Sequence, residues 1–226
     1  MKADAVIVAA GSSTRFGEGN KLFADLCGKP VLAWTIAAYA AAALVERIVV
    51  VAQGEALSAV DAIARTEAGE KFVKTVAGGT RRRDSVEAGL RAVRARYVAI
   101  HDGARPLITA GLIDRCIAAA EGTAGAVVAI PVTDTIKEVR GGMIAGHPER
   151  AMLWAAQTPQ VVLRRAWLDA AAASDDDETD DSAMLARFGL ETAVVEGDPG
   201  NLKITKPLDL ELAAAILRSE GRTPCG

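Results

Sequence analysis

Residues 6–21, VIVAAGSSTRFGEGNK, combine a short apolar run with a loop of small residues. The apolar run ends at Gly11, and the loop that follows carries two cations, Arg15 and Lys21. A buried strand that ends in a glycine-rich, cationic loop is a common arrangement for binding phosphate, because backbone N–H groups can converge there on an anion. The stretch therefore predicts a phosphate-binding loop, with a solvated turn between a strand and a helix as the alternative.

Neither of the two commonest phosphate motifs fits this loop. A P-loop requires Gly-x-x-x-x-Gly-Lys-Ser/Thr, but Gly11 and Gly17 are one residue too far apart and Glu18 follows. The dinucleotide fingerprint requires Gly-x-Gly-x-x-Gly, and Ser13 stands where its second glycine belongs. We therefore expect the loop to bind phosphate by another route.

Length and composition indicate a globular α/β protein. The chain has 226 residues, half of them hydrophobic, which is enough for one large domain with a substantial core. The formal net charge is −3, so there is no overall basic field for nucleic acid, although residues 81–83 concentrate positive charge. No internal repeat or linker indicates a second domain, and residues 1–226 are predicted to form a single one.

The sequence also predicts a cytoplasmic protein without a membrane span. The longest apolar run, residues 31–45, is shorter than the roughly 20 residues that a spanning helix requires. The N-terminus has no apolar signal segment, and the three cysteines are odd in number and widely spaced, which favours reduced thiols. His101 and His147 are the only histidines, which argues against a histidine-based zinc site.

Apolar runs and helical periods alternate along the first part of the chain. Predicted strands cover residues 3–9, 47–52, 72–76 and 97–101, with predicted helices at 30–43, 55–64 and 84–94 between them. This βαβαβαβ order with short connections predicts a mostly parallel, doubly wound sheet. The remaining chain predicts helix 112–120, strand 125–130, an extended segment 154–162, helices 163–173 and 181–188, strand 191–195 and a last helix 207–218.

Three strand ends carry segments typical of a binding site. The first strand leads into the opening loop, the third into GGTRRRDS at residues 78–85, and the fourth into HDGARP at residues 101–106. Because the carboxyl ends of parallel strands meet at one edge of a sheet, these segments are expected to form one cleft.

Residues 131–148 have a different pattern, with alternating residue types around a Gly141-Gly142 turn. This pattern predicts a β-hairpin arm that projects from the sheet. A two-stranded arm is marginally stable by itself, so it usually needs a partner surface. We therefore expect a homodimer that forms through an arm at about residues 131–150.

Taken together, the motifs identify a family. AAGSSTRFG, GGTRRRDSV, HDGARP, PVTDTIK, TPQ, TDDSAML and EGDPGNLKIT occur in this order along the chain. With them, residues 5–213 resemble the 2-C-methyl-D-erythritol 4-phosphate cytidylyltransferase family of the non-mevalonate isoprenoid pathway. The resemblance implies a Rossmann-like nucleotidyltransferase domain with a dimerising arm. It also implies that CTP and methylerythritol phosphate react to CDP-methylerythritol and pyrophosphate, with a divalent cation, usually Mg²⁺.

The resemblance carries functional residues onto this sequence. The catalytic positions are Arg15, Lys21 and Lys203, expected at the α-phosphate of CTP. The positions matched to CTP binding are Ala9, Ala10, Gly11, Gly79, Thr80, Arg82, Ser85, Asp102 and Gly103. Those matched to acceptor binding are Arg105, Thr135, Arg150, Thr158 and Thr179, of which Thr135 and Arg150 are expected to serve the neighbouring subunit. Asp102 is also the predicted metal ligand, with capping of the next turn as its alternative.

Some positions and alternatives remain open at this point. Ser13 and the segment Asn20-Lys21-Leu22 depart from the family pattern. Asp198 is an unaligned candidate for a second metal carboxylate, and His101 is expected to have a structural role.

The nearest alternative function is a cytidylyltransferase for ribitol or ribulose 5-phosphate. A catalytically silent nucleotide-binding regulator and a dehydrogenase are weaker alternatives.

Overall fold

The computed structural model describes residues 1–11, 16–17, 19–174, 178 and 180–222. Its strands are β1 (Ala3–Ala9), β2 (Asp25–Leu26), β3 (Lys29–Pro30), β4 (Val45–Ala52), β5 (Phe72–Ala77), β6 (Tyr97–Asp102), β7 (Gly125–Pro131), β8 (Glu138–Arg140), β9 (Met143–Gly146), β10 (Trp154–Leu163) and β11 (Thr192–Glu196). Its α-helices are α1 (Val31–Ala41), α2 (Leu57–Ala68), α3 (Arg82–Ala92), α4 (Ala110–Ala119), α5 (Arg164–Ala173), α6 (Asp181–Ala186) and α7 (Pro207–Ser219).

Seven of these strands form one sheet in the order β11-β7-β10-β6-β1-β4-β5. Strand β10 is antiparallel to both of its neighbours, and the other neighbouring strands are parallel. The chain builds the sheet outward from β1 to β5 and then returns to β6 on the other side of β1. This reversal is typical of a doubly wound sheet, so the predicted fold class is confirmed.

The core lies on both faces of the sheet. Val6 and Ile7 are both fully buried neighbours on β1, but they belong to different apolar clusters. The cluster around Ile7 includes residues of α1, α2, α4 and α7, whereas the cluster around Val6 includes residues of α3, α5 and α6. A strand covered on both faces has no polar alternation, which explains the uninterrupted apolar run of β1.

The predicted elements are present, with bounds that shift by a few residues. The predicted helix 30–43 began one residue too early, because Pro30 lies at the N-cap position, before the first turn of α1. Pro30 pairs in the short strand β3 and caps the helix, with extended backbone at ψ 143°. The β2–β3 ladder was not predicted, because two paired residues give no readable alternation.

The predicted hairpin arm is present as β8 and β9, which pair antiparallel. Gly141 and Gly142 connect them with positive φ angles of 56° and 80°, a conformation that favours glycine. The arm leaves the sheet after β7 and returns at β10, where Trp154 pairs with Pro131. Both ends of the arm therefore lie side by side at the carboxyl edge of the parallel strands.

In the described ranges, no helix combines the length and the apolar character of a membrane-spanning helix.

Candidate active site

A cavity of about 560 Å³ opens at the carboxyl ends of β1, β5 and β6. The three segments expected to meet at this edge all contribute to its wall. The predicted residues that line the cavity are Ala9, Ala10, Gly11, Lys21, Gly79, Thr80, Arg82, Ser85, Asp102, Gly103 and Lys203. The structure thus brings together all nine positions that were matched to CTP binding and two of the three matched to catalysis.

Close backbone contacts hold the strand ends together beneath this cavity. The amide of Gly103 donates to the carbonyl of Val8 at 2.9 Å, and the amide of Gly78 donates to the carbonyl of Ala52 at 2.8 Å. A Cβ atom on Gly78 would lie 2.6 Å from the Cβ of Ala10, closer than real side chains approach. Glycine at position 78 therefore allows the GGTRRRDS segment to pack directly on the opening loop.

Asp102 lies at the centre of a cluster of cations. Its carboxylate is 2.7 Å from the Lys203 ammonium, 3.8 Å from Nε of Arg82 and 3.9 Å from Nε of Arg105. Burial raises the pKa of Asp102, but Lys203, Arg82 and Arg105 outweigh it and lower that pKa to about 2. Asp102 is therefore ionised, and one carboxylate faces three positive charges.

Arg82 also forms an ion pair with a second carboxylate, that of Asp181. The Arg82 guanidinium donates to Asp181 Oδ2 at 2.7 Å, and Trp167 Nε1 donates to Asp181 Oδ1 at 3.2 Å. The Asp181 side chain is only 2% exposed. Burial raises the pKa of Asp181, and the charge of Arg82 opposes that shift. Arg82 thus bridges a buried anion and the carboxylate in the cavity.

Lys21 and Lys203 converge because the segment after β11 folds back onto the HDGARP loop. The Lys21 ammonium donates to the carbonyl of Ile204 at 2.7 Å, and the amide of Ile204 donates to the carbonyl of Ala104 at 2.8 Å. Two lysines that are far apart in sequence are therefore fixed at one wall of the cavity. Such an arrangement suits a ligand with several phosphate groups.

Comparison with known proteins agrees with this geometry. The family profile described as IspD, 2-C-methyl-D-erythritol 4-phosphate cytidylyltransferase, matches residues 3–219. This chain belongs to the 2-C-methyl-D-erythritol 4-phosphate cytidylyltransferase family. The family consists of CTP-dependent nucleotidyltransferases, so the predicted enzyme class is confirmed.

Individual cytidylyltransferases are similar over nearly their whole length. The 2-C-methyl-D-erythritol 4-phosphate cytidylyltransferase of Prochlorococcus marinus is 43% identical over 219 residues, which cover 94% of this chain and 96% of the relative. That of Thermosynechococcus vestitus is 45% identical over 220 residues, covering 94% of each chain.

Solved structures of the family have the same fold. The 4-diphosphocytidyl-2C-methyl-D-erythritol synthase of Anaerococcus prevotii superposes with a TM-score of 0.85 at 26% identity, covering 96% of both chains. The cytidylyltransferase of Thermus thermophilus superposes with a TM-score of 0.78 at 31% identity, covering 96% of this chain and all of the other.

The described residues that were matched to acceptor binding in this family, which are all of them except Thr179, do not line the cavity. Thr135 and Arg150 are exposed on the arm, where the Arg150 guanidinium donates to the carbonyl of Thr133 at 2.9 Å. Arg105 and Thr158 lie beneath Asp102 instead, and Arg105 Nη1 donates to the carbonyl of Asn201 at 2.7 Å. Within this chain, the four predicted acceptor residues that the structure describes are therefore divided between the arm and the floor of the site.

Two predicted positions, Arg15 and Thr179, lie outside the described residues. The candidate second metal carboxylate, Asp198, is described but does not line the cavity. It lies in an exposed turn, where its carboxylate accepts a hydrogen bond from the amide of Gly200 at 2.7 Å. Turn formation accounts for this aspartate.

Sequence reasoning missed Asp181 as a site residue, as well as Gln53 and Thr205 in the cavity wall. The only signal for Asp181 was its place in the TDDSAML motif. Its partner Arg82 lies 99 positions away, so nothing in the local pattern indicates the ion pair.

His101 has the structural role that was expected. The ring is fully buried and lies against Tyr39, with ring centroids 5.0 Å apart. Burial, together with the charge of Arg105, lowers the pKa of His101 to about 3, although Asp102 raises it. The imidazole is therefore neutral.

Proposed function

We propose that this protein transfers CMP from CTP to 2-C-methyl-D-erythritol 4-phosphate and releases pyrophosphate. The observation that carries this proposal is the convergence of Lys21, Lys203 and Arg82 with Asp102 on one cavity, in a chain of this family. Relatives named for methylerythritol phosphate favour that acceptor over ribitol or ribulose 5-phosphate. Phosphoryl-transfer enzymes work mainly by positioning and charge neutralisation, which these residues supply.

The reaction requires one bond to form and one to break. A phosphate oxygen of the acceptor attacks the α-phosphorus of CTP, and the bond from that phosphorus to the oxygen that bridges to the β-phosphate breaks. Pyrophosphate leaves with the electron pair. Because the acceptor phosphate is already largely ionised at neutral pH, no side chain has to take up a proton. Lys21 and Lys203 hold the anions and stabilise the charge that builds up at the α-phosphate, and Arg15 adds a third cation.

The cytosine is proposed to lie against the GGTRRRDS segment. The amide of Gly79 donates to Ser85 Oγ at 3.1 Å, which fixes the turn before α3. Thr80 lines the same wall, together with the backbone of Ala9 and Ala10. A pocket built from backbone and short side chains has room for a pyrimidine and disfavours the larger purines.

Mg²⁺ is the proposed cofactor, with Asp102 as its protein ligand. Among the described residues that line the cavity, Asp102 is the only carboxylate. The described ranges contain no group of three His, Cys, Asp or Glu side chains that could hold a metal. A single carboxylate suits Mg²⁺, which usually takes its other ligands from substrate phosphates and water. When bound, the ion neutralises phosphate charge.

The overall organisation is part of the proposal. We treat residues 1–226 as one domain, because the sheet combines β1 near the start of the chain with β11 near its end. We place the protein in the cytoplasm, which is supported by the free thiols of Cys27 and Cys116.

A direct assay tests the proposed reaction. The protein is incubated with CTP, Mg²⁺ and a panel of polyol phosphates, and pyrophosphate release is measured. We expect release with 2-C-methyl-D-erythritol 4-phosphate. Release with ribitol 5-phosphate but not with methylerythritol phosphate would overturn the acceptor assignment, and release with neither would overturn the reaction.

We further propose a homodimer that forms through the arm. Apolar side chains are exposed on it to an extent unusual for a free surface: Val139 by 60%, Ile144 by 59% and Met143 by 74%. We expect the protein to elute as a dimer in gel filtration at micromolar concentration. Ile144→Glu should shift it toward monomer, whereas Leu212→Glu, at an exposed apolar position on α7, should not. A monomeric wild-type protein would contradict the dimer.

Arg150 is proposed to bind the acceptor phosphate in the neighbouring subunit's site, because its planar fork of donors suits phosphate oxygens. Arg150→Ala should therefore raise KM for the phosphorylated polyol roughly tenfold or more, with KM for CTP nearly unchanged. Steady-state kinetics with each substrate varied in turn measures both values. Arg140→Ala, on the same arm, is the matched control.

The position of Arg150 in trans can be tested separately. In a mixed dimer of Arg150→Ala and Lys203→Gln protomers, one of the two sites has both residues intact. At acceptor concentrations well below the KM of the Arg150→Ala protein, mixing the two variants should therefore give more activity than the sum of the two variants measured alone. Equal effects of Arg150→Ala on both KM values, or no restoration on mixing, would count against this assignment.

A further inference from the structure

A chain of buried hydrogen bonds lies directly beneath Asp102. The amide of Asp102 donates to Thr158 Oγ1 at 3.2 Å, and Thr158 Oγ1 lies 2.9 Å from Nδ1 of His101. The other ring nitrogen, Nε2 of His101, lies 3.4 Å from the carbonyl oxygen of Arg105. Thr158 is 3% exposed and His101 is fully buried. We call this set of groups the Asp102 brace.

The protons of the brace can be assigned from its geometry. The carbonyl oxygen of Arg105 can only accept, so the hydrogen bond to it requires a proton on Nε2 of His101. In a neutral ring with its proton on Nε2, Nδ1 is an acceptor, so it takes the single hydroxyl proton of Thr158, whose Oγ1 accepts from the amide of Asp102. Every donor then has an acceptor, and the ring is a neutral Nε2–H tautomer.

The brace connects two backbone groups of the HDGARP segment, the amide of Asp102 and the carbonyl of Arg105. Strand β10 contributes one of the groups between them, the hydroxyl of Thr158. The two residues whose backbone it fixes are both members of the charge cluster, with Arg105 Nε 3.9 Å from the Asp102 carboxylate. A change of ring tautomer or loss of the hydroxyl would leave a buried group without a partner and release this backbone.

We infer that His101 is a positioning residue, which holds Asp102 in place through the Thr158 hydroxyl and Arg105 through its own Nε2–H group. It does not touch the reacting atoms, and its importance for turnover rests on the function proposed above. The inference also gives Thr158 a different role from acceptor binding. Its hydroxyl is committed to the Asp102 amide and the His101 ring, both of which lie below the cavity.

The ring tautomer provides a test that does not depend on activity. The chain has only two histidines, so a ¹⁵N spectrum of histidine-labelled protein contains two rings, and a His147→Asn variant assigns them. We expect His101 to be a neutral Nε2–H tautomer in the wild-type protein. A neutral Nδ1–H tautomer, or a charged ring at neutral pH, would overturn the inference, whether or not the protein has the proposed activity.

Two variants of Thr158 test the consequence for catalysis. Thr158→Val keeps the shape of the side chain but removes the hydroxyl, whereas Thr158→Ser keeps the hydroxyl. Thr158→Val should lower kcat about tenfold, because a buried N–H loses its acceptor, and should abolish the single Nε2–H signature of His101. Thr158→Ser should retain the tautomer and most of kcat. Circular dichroism and thermal melting check that both variants are folded.

The possible outcomes separate the explanations. A Thr158→Val protein with unchanged kcat and a raised KM for the acceptor would overturn the inference and restore the acceptor-binding role. If Thr158→Val does not fold, the wild-type spectrum and the Thr158→Ser kinetics decide. If the wild-type protein shows the expected tautomer but no cytidylyl transfer, the proposed function fails while the assignment of the brace stands.

Discussion

Replacing Lys203 with glutamine is expected to lower kcat about 100- to 1,000-fold, a loss typical of removing one preorganised charge from a transition-state site. The Lys203 ammonium lies 2.7 Å from the Asp102 carboxylate, at the wall of the cavity. Its side chain is 39% exposed, so an incoming phosphate can reach it. Glutamine keeps a hydrogen-bond donor, on a side chain one atom shorter than that of lysine, but removes the charge. KM for CTP should change much less than kcat, because the charge matters most when negative charge builds up at the α-phosphate.

Pre-steady-state and steady-state kinetics with saturating acceptor measure this effect. Lys74→Gln, at an exposed position on β5, is the control for the loss of a lysine charge and should behave like the wild-type protein. A Lys203→Gln protein whose kcat stays within about twofold of wild type, with only KM for CTP raised, would show that Lys203 binds the ground state and the transition state equally and does not accelerate the chemical step.

Replacing Asp102 with asparagine is expected to affect binding and turnover in opposite directions. In the free protein, Asp102 partly neutralises Lys203, Arg82 and Arg105. Without its charge, these cations should bind pyrophosphate or CTP more tightly when Mg²⁺ is absent. Turnover with Mg²⁺ should fall by at least about 100-fold, because the site loses its proposed metal ligand and the group that orients Lys203.

Isothermal titration calorimetry with and without Mg²⁺ measures the affinity for CTP on which this prediction depends. Wild-type protein should bind CTP more tightly with Mg²⁺ than without it, and Asp102→Asn should lose most of that difference. Asp169→Asn, at an exposed position on α5, serves as the matched control. If Asp102→Asn kept the full effect of Mg²⁺ on CTP binding, Asp102 would not be the metal ligand.

The fold could be predicted largely because its signals are local. The apolar run of β1, the turn at Gly141-Gly142 and the helical periods each depend on residues close together in sequence. The direction of β10 could not be predicted, because an extended pattern at residues 154–162 does not show which strands it joins or which way it runs. Its antiparallel pairing with β6 and β7 is fixed by the whole sheet.

Site residues at the ends of strands could be predicted from the sequence. Site residues that depend on side-chain pairing between distant parts of the chain could not. Sequence motifs contain Lys21, Asp102 and Lys203, and the structure brings these motifs together at one edge of the sheet. Asp181 was missed because its importance arises only when α6 lies beside Arg82. Thr158 was assigned to the acceptor by its motif, whereas its burial beneath Asp102 comes from the pairing of β10 with β6.

The way in which the arm joins the sheet has a consequence for how such enzymes can diversify. Pro131 at the end of β7 and Trp154 at the start of β10 are paired neighbours, so the chain between them leaves and re-enters the sheet at one point. We expect insertions, deletions or exchange of this segment to change neither the register of the sheet nor the nucleotide cavity, because the segment starts and ends at the same place on the sheet. If the arm binds the acceptor, as proposed, changes in this one surface segment can alter the specificity for the acceptor. The residues that bind CTP would then stay the same.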